Sequence, residues 1–280
     1  MADRMTIDAH QHFWRYQPIR DAWITDEMSV LKKDFLPEQL QNDLAENGVS
    51  GTVAVQADQS EDETLFLLDL AMRHGFILGV VGWVDLRGPR LRERLRFFSR
   101  FPKLRGFRHV VQAEADDFLL RQDFQRGIGE LRPFGFTYDI LIYARQLPAA
   151  AELVACFPEQ RFVIDHIAKP DIRGRELLSW ERGIRRVAAH ANVHCKLSGM
   201  ITEADWSNWS AADLKPYLDV TMDAFGADRL MFGSDWPVCL LAGSYRRGKE
   251  VVAEYMAAFP DATQQKIFGE NATHFYGLAA

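Results

Sequence analysis

The chain has little cysteine: Cys156, Cys195 and Cys239 are scattered, odd in number and without metal-ligand spacing. That excludes a disulfide framework or a thiolate metal site and points to reduced thiols. Long apolar runs are missing as well, since no stretch of eighteen apolar residues occurs, so a membrane partner is not expected. The opening Met1-Ala2-Asp3-Arg4 leads into a strand pattern with no apolar segment resembling a signal peptide, and the expected location is cytoplasmic. Basic charge is in short supply, with 33 Lys and Arg against 39 Asp and Glu and a net charge of -6, which argues against nucleic acid. The one basic cluster, Arg90-Leu91-Arg92-Glu93-Arg94-Leu95-Arg96, reads as a solvated helix face. No linker interrupts the chain, so residues 1–280 read as a single domain. With 48% hydrophobic residues it has the apolar side chains for one large core. Nothing in it forbids assembly into a homo-oligomer.

What is present is a regular alternation. Strand-like runs fall at 6–12, 51–56, 77–84, 104–111, 136–142, 161–166, 192–197 and 229–234. Between them lie stretches whose apolar residues recur near 3.6, as at 63–72 and 214–225. Helix starts are signalled by Asp213 before Leu214, and by Ser60 with Glu63 three residues on, a capping-box pattern. Eight strands alternating with helices predict parallel pairing and closure into an α/β fold, a single (β/α)8 barrel of the TIM type that tolerates distortion. Such barrels carry function at the C-terminal ends of their strands.

Those ends are polar. His10 and His12 stand one residue apart, and a strand period of two puts both on one side. Leu230-Met231-Phe232-Gly233-Ser234-Asp235 is an apolar run ending in a carboxylate, which places Asp235 at a strand mouth rather than in the core. Between these two ends come Gln56, Trp83, Asp85, Arg108, His109, Asp139, Asp165, His166, Lys169, Lys196, Ser198 and Trp236. Arg108 and His109 face opposite ways on one strand. Asp165 has a structural alternative, facing away from its neighbour His166, and Lys169 and Lys196 have one as rim ion-pair partners. His74, His190 and His274 read as isolated surface or core residues.

Asp8-Ala9-His10-Gln11-His12, Asp165-His166 and Gly233-Ser234-Asp235-Trp236-Pro237, in that order along the chain, resemble the amidohydrolase superfamily. Further stretches narrow the resemblance to its sugar-lactonase branch, the L-fuconolactone and L-rhamnonolactone hydrolases: Asp21-Ala22-Trp23-Ile24, Gly106-Phe107-Arg108-His109, Asp165-His166-Ile167-Ala168-Lys169-Pro170, and Lys196-Leu197-Ser198 through Thr202-Glu203-Ala204-Asp205-Trp206. The resemblance implies a catalytic set of Asp235, His10, His12 and His166. It departs from the metal-dependent members, which add a lysine at the fourth strand and a histidine at the fifth; here stand Arg108 with His109, and Thr137-Tyr138-Asp139. A two-metal centre is therefore not expected. His10, His12, His166 and Asp235 remain as one candidate zinc site that can stand empty, so the expected cofactor is none, or one Zn2+ per chain.

Lactone hydrolysis needs an activated water, donors for a developing oxyanion and a proton for the departing alcohol. Asp235 suits the proton transfers; His10, His12 and His166, with Arg108 or Lys169, suit the oxyanion. The ring alkoxide of a lactone leaves more readily than the amine of an amide and depends less on a Lewis acid, so a thin ligand set favours a lactone. Candidate substrate-binding positions are Trp23, Gln56, Trp83, Arg108, His109, Asp139, Lys169 and Trp236. Aromatics of the loop 13–35 and Trp206 and Trp209 suit the C–H faces of a sugar, with barrel packing as the alternative. Only Arg108 is placed at the mouth to meet a carboxylate, so a neutral sugar lactone of carbohydrate catabolism is preferred. The alternatives are a zinc-dependent decarboxylase, a dicarboxylate-lactone hydrolase, and a barrel that binds without catalysis.

Overall fold

In the computed structural model, residues 5–279 are described, so the opening Met1–Arg4 lies outside the described residues. Eight strands, β1 (Ile7–Gln11), β2 (Gly51–Val55), β3 (Ile77–Gly82), β4 (Leu104–Val110), β5 (Thr137–Leu141), β6 (Phe162–Ile164), β7 (Val193–Leu197) and β8 (Leu230–Phe232), pair in sequence order. Every pairing is parallel. The ring closes just beyond β8. Gln11 bridges to Trp236, the His12 amide donates to the Trp236 carbonyl (2.7 Å), and the Asp235 amide donates to the His10 carbonyl (2.8 Å). Eight main helices alternate with the strands: α1 (Pro37–Glu46), α2 (Glu61–Arg73), α3 (Leu91–Phe98), α4 (Gln122–Gly129), α5 (Leu147–Cys156), α6 (Leu178–Ala188), α7 (Ala211–Phe225) and α8 (Tyr245–Met256). Two short ones follow, α9 (Asp261–Gln265) and α10 (Asn271–Tyr276). The architecture is a (β/α)8 barrel of the TIM type. No helix among the described residues is long and apolar enough to cross a membrane.

The expected elements are all present, with two local differences. The cap of helix α7 lies three residues before the anticipated Asp213. Ser210 is its cap, and Asp213 is the third helical residue, accepting from the Ser210 amide (2.9 Å) and hydroxyl (2.7 Å). At α2 the Ser60 hydroxyl accepts from the Glu63 amide (3.1 Å), yet the Glu63 carboxyl turns to the Ala57 amide (3.2 Å), so only half of a capping box forms. The Arg90–Arg96 stretch is the outer face of α3: Leu91, Leu95 and Phe98 are buried and Arg94 pairs with Glu61 on α2.

Two apolar layers hold the barrel. The larger lies between sheet and helices. The smaller fills the barrel floor, where Ile7, Ala9, Val53, Val55, Val81, Val163 and Met231 meet Phe275, Tyr276 and Leu278 from the chain's last turns. Strand β1 then changes register. Asp8 pairs with Thr52 and Gln11 with Ala54, so β1 spends three residues where β2 spends two. That extra residue breaks the alternation that sends Ile7 and Ala9 to the floor, and it turns His10 and His12 onto the barrel axis above them.

Candidate active site

Asp8, on the other side of β1, anchors this turn. Its carboxylate accepts from the Ser234 amide (2.9 Å), the His10 amide (3.1 Å) and the Tyr245 hydroxyl (3.2 Å). Burial pushes Asp8 up to about 6 against those bonds. The anchor ties β1 to residues 233–235 and brings Asp235 over His10 and His12.

His10 is fully buried. Its Nδ1 lies 3.3 Å from Asp165 Oδ1 and 3.1 Å from Lys196 Nζ; its Nε2 lies 3.2 Å from His12 Nε2 and 3.3 Å from Arg108 Nη1. His12 donates from Nδ1 to the Val55 carbonyl (2.8 Å), so a neutral His12 ring turns a bare Nε2 toward Asp235 Oδ1, 3.3 Å away. His166 meets the Ser198 hydroxyl through Nδ1 (2.9 Å) and faces Asp235 Oδ1 with Nε2 (3.8 Å).

His166 reaches this place because β6 stops early. His166, Ile167, Ala168 and Lys169 all have left-handed backbones, with φ of 54°, 47°, 60° and 46°. Such residues cost about 1–3 kcal/mol each and persist where their surroundings hold them. Here the Trp180 indole donates to the Ile167 carbonyl (2.7 Å) and the Lys169 amide to that of His166 (2.8 Å). Two glycines leave room for the histidines: a Cβ on Gly199 (φ +65°) would stand 2.6 Å from His166 Nδ1, and one on Gly233 2.7 Å from His10 Cβ.

Charge is sorted by burial. It pushes His10 and His166 well below the ordinary imidazole value, so both are neutral at neutral pH. Burial also works against the Asp235 anion, but the charge that His166 and His12 carry when protonated, together with the Lys169 cation, outweighs it and holds the carboxyl below its usual range. Lys169 stays charged because Glu203 (3.2 Å) and Asp235 overcome its own desolvation.

These groups floor a cleft of about 330 Å3. His12, Arg108, His166, Lys169 and Asp235 lie at its base, Trp14, Arg20 and Trp23 on one wall, and Asp58, Gln59, Gln112, Leu141 and Val238 around it. Of the positions singled out in the sequence, His12, His166, Asp235, Trp23, Arg108 and Lys169 line it, and His10 lies directly beneath. Five others are not among its lining residues. Gln56 accepts from and donates to Arg108, pinning the guanidinium. Trp83 and His109 face the helices, where the Trp83 indole meets His109 (3.4 Å), itself stacked on Phe118 and bonded to Glu114 (3.0 Å). Asp139 is buried deeper in the barrel with Lys196 and Tyr276. Trp236 packs between Phe13 and Phe35.

Other expectations are corrected too. Lys196 is no rim residue; it is fully buried on the barrel axis. Asp165 does not face away from the site but touches His10, Arg108 and Lys196. Trp206 and Trp209 are packing residues, their indoles bonded to the Thr202 (2.8 Å) and Ala242 (2.6 Å) carbonyls. Arg108 is not the only arginine at the mouth, since Arg20, held by Asp21 (2.8 Å), lines it as well. Arg20, Asp58, Gln59, Gln112 and Glu203 went unassigned in the sequence. Asp58 and Gln59 lie just past the β2 end, and reading each expected strand end three residues further finds them.

Among the described residues, His10, His166 and Asp235 each offer one ligand atom, all within 4.8 Å of one another; His12 is not in that group. The far nitrogen of His10 is engaged by Asp165 and that of His166 by Ser198, the outer partners that orient imidazole ligands. The donor set thus fits one zinc ion.

The family model for amidohydrolases matches residues 7–278. An L-fucono-1,5-lactonase from Burkholderia multivorans is 42% identical, over 98% of this chain and 96% of its own length. A second L-fucono-1,5-lactonase, from Burkholderia ambifaria, is 38% identical over 97% and 95%. Among solved structures, a Burkholderia multivorans amidohydrolase with bound zinc superposes with a TM-score of 0.95, at 42% identity over 98% of this chain and all of that one.

Proposed function

This chain belongs to the amidohydrolase family, and on that premise we propose that it opens a sugar lactone, L-fucono-1,5-lactone, to the aldonic acid. The observation that carries the reading is 42% identity to an L-fucono-1,5-lactonase across nearly the whole chain. The cleft supports it. Asp235 takes a proton from a water that attacks the lactone carbonyl carbon. As the ring C–O bond breaks, the same carboxyl returns that proton to the ring oxygen. Arg108 and Lys169, the N–H donors at the cleft base, stabilise the oxyanion, each well-aimed donor contributing on the order of 3 kcal/mol. A neutral His12, bonded through Nδ1 to Val55, presents a bare Nε2 that accepts from the attacking water rather than donating to the oxyanion. A zinc ion held by His10, His166 and Asp235 would polarise the carbonyl when bound.

A neutral substrate is favoured because each cation in the cleft already has a carboxylate: Arg20 with Asp21, Arg108 with Asp165, Lys169 with Glu203. A dicarboxylate would have to displace them. Trp14 and Trp23 offer faces to sugar C–H groups, and Leu141 and Val238 each offer apolar surface for a C6 methyl. The test is kcat/KM by pH indicator across neutral aldonolactones, pyrone dicarboxylates and hydroxybenzoates. L-Fucono-1,5-lactone is expected first. Lactones with another group in place of the methyl should follow about ten- to a hundredfold behind. Preference for a dicarboxylate, or carbon dioxide release with no lactone turnover, refutes the reading.

A further inference from the structure

Beneath the cleft lies a set of charges of which the proposed chemistry uses only Arg108. Lys196 Nζ lies 2.6 Å from Asp139 Oδ2, 2.9 Å from Asp165 Oδ1 and 3.1 Å from His10 Nδ1. Arg108 Nη1 closes the group at 3.0 Å from Asp165 Oδ2. Two carboxylates and two cations balance, none more than 4% exposed in its side chain. A fifth member comes from the far end of the chain: the Tyr276 hydroxyl, in α10 beneath the barrel floor, donates to Asp139 Oδ2 (2.7 Å). Burial raises the Tyr276 phenol, so it remains a donor.

His10 stands where this group could set either of two tautomers. With its proton on Nδ1, it turns that N–H to the Asp165 anion 3.3 Å away and accepts from Arg108 at bare Nε2, while the Lys196 ammonium faces an N–H and His12 a second bare nitrogen. With its proton on Nε2, it accepts from Lys196 at Nδ1, donates to His12, and leaves Arg108 facing an N–H. The position of the Lys196 ammonium decides between them, and that position is set from below by Asp139. We propose that Tyr276, Asp139 and Lys196 form a positioning arm: Tyr276 steadies Asp139, Asp139 draws the Lys196 ammonium down, and Asp165 is left to take the His10 proton at Nδ1. His10 then turns a bare Nε2 to the cleft. Facing two charged partners, the Asp165 anion and the Arg108 cation, against one cation and a neutral imidazole in the other tautomer, makes this the stronger arrangement. Tyr276 and Asp139 touch no substrate; they act through His10.

The test is the tautomer of His10 in protein freed of metal, read from two-bond 1H–15N correlations of histidine-labelled samples, with His10→Gln for assignment. Wild type should show Nδ1–H. Asp139→Asn and Tyr276→Phe should raise the Nε2–H form and lower kcat by about tenfold with KM nearly unchanged. Thr221→Val is the control. It loses a buried hydroxyl bond to the Tyr217 carbonyl in α7, away from the network, and should move neither readout. Should Asp139→Asn fail to fold, Tyr276→Phe, which removes one oxygen, carries the test. A wild-type His10 protonated on Nε2, or variants with an unchanged tautomer, overturns the arm. The kinetic readout rests on the proposed lactonase activity. If wild type opens no lactone, that proposal falls while the tautomer still decides this one.

Discussion

Replacing Asp235 by Asn separates chemistry from folding at this site. The side chain keeps its shape, so the change removes a negative charge and a proton carrier and little else. Asp235 has φ +58°, a left-handed conformation in which Asn is among the favoured non-glycine residues, and its backbone amide bond to the His10 carbonyl is untouched. The turn should therefore hold, with the thermal midpoint within a few degrees of wild type. Catalysis should not. General acid–base groups contribute about 10^2–10^4 in rate, so kcat should fall at least about a hundredfold, or roughly 2.7 kcal/mol of transition-state stabilisation. The assay is a stopped-flow pH-indicator measurement on L-fucono-1,5-lactone, with the spontaneous hydrolysis rate subtracted, paired with a thermal melt. Because Asp235 is held below the usual carboxylate range, its basic form persists into weak acid, and wild-type kcat/KM should stay level from pH 8 down to about 5. A folded variant within tenfold of wild type would remove Asp235 as proton carrier. An acid limb centred near 6.5 would move that role to a histidine.

Exhaustive dialysis against a chelator should leave lactonase activity, and metal analysis should find no more than one zinc per chain; two metals, or complete loss restored only by zinc, would contradict the His10, His166 and Asp235 set. Glu63→Gln should stabilise the protein at pH 8 and do little at pH 4.5. Burial raises Glu63 from 4.5 to about 7, so the native carboxyl keeps its proton where the unfolded one has lost it, and wild-type stability falls as pH rises through that window. The 2.5-unit difference corresponds to about 3 kcal/mol at alkaline pH, several degrees in melting temperature by calorimetry, and a gain that does not grow with pH would refute the assignment. Gly199→Ala should press a methyl into His166 and lower kcat by roughly a hundredfold, the cost of misplacing a group by about an ångström; wild-type kinetics in that variant would mean His166 has no exacting position.

The eight strands and their helices were legible because period two and period 3.6 are local signals that a short window carries. His10, His12 and Asp235 were legible too, since a histidine pair one residue apart and a carboxylate ending an apolar run have few structural excuses. The strand ends alone, however, ranked as equals residues that the fold separates. Arg108 and His109 are neighbours, and only the register of β4 against β5, Arg108 beside Asp139, puts one on the barrel axis and the other against Phe118. Asp139 and Lys196 looked like rim groups because strand length is uncertain by a residue or two, and in a barrel that is the difference between mouth and interior. The extra residue in β1 and the left-handed turn from His166 to Lys169 leave no mark in a hydrophobic pattern, yet they aim three histidines at one carboxylate. Tyr276 could not be read at all. It lies 137 residues from the Asp139 it bonds, and only closure of the barrel and folding of the last helix beneath its floor bring the two together.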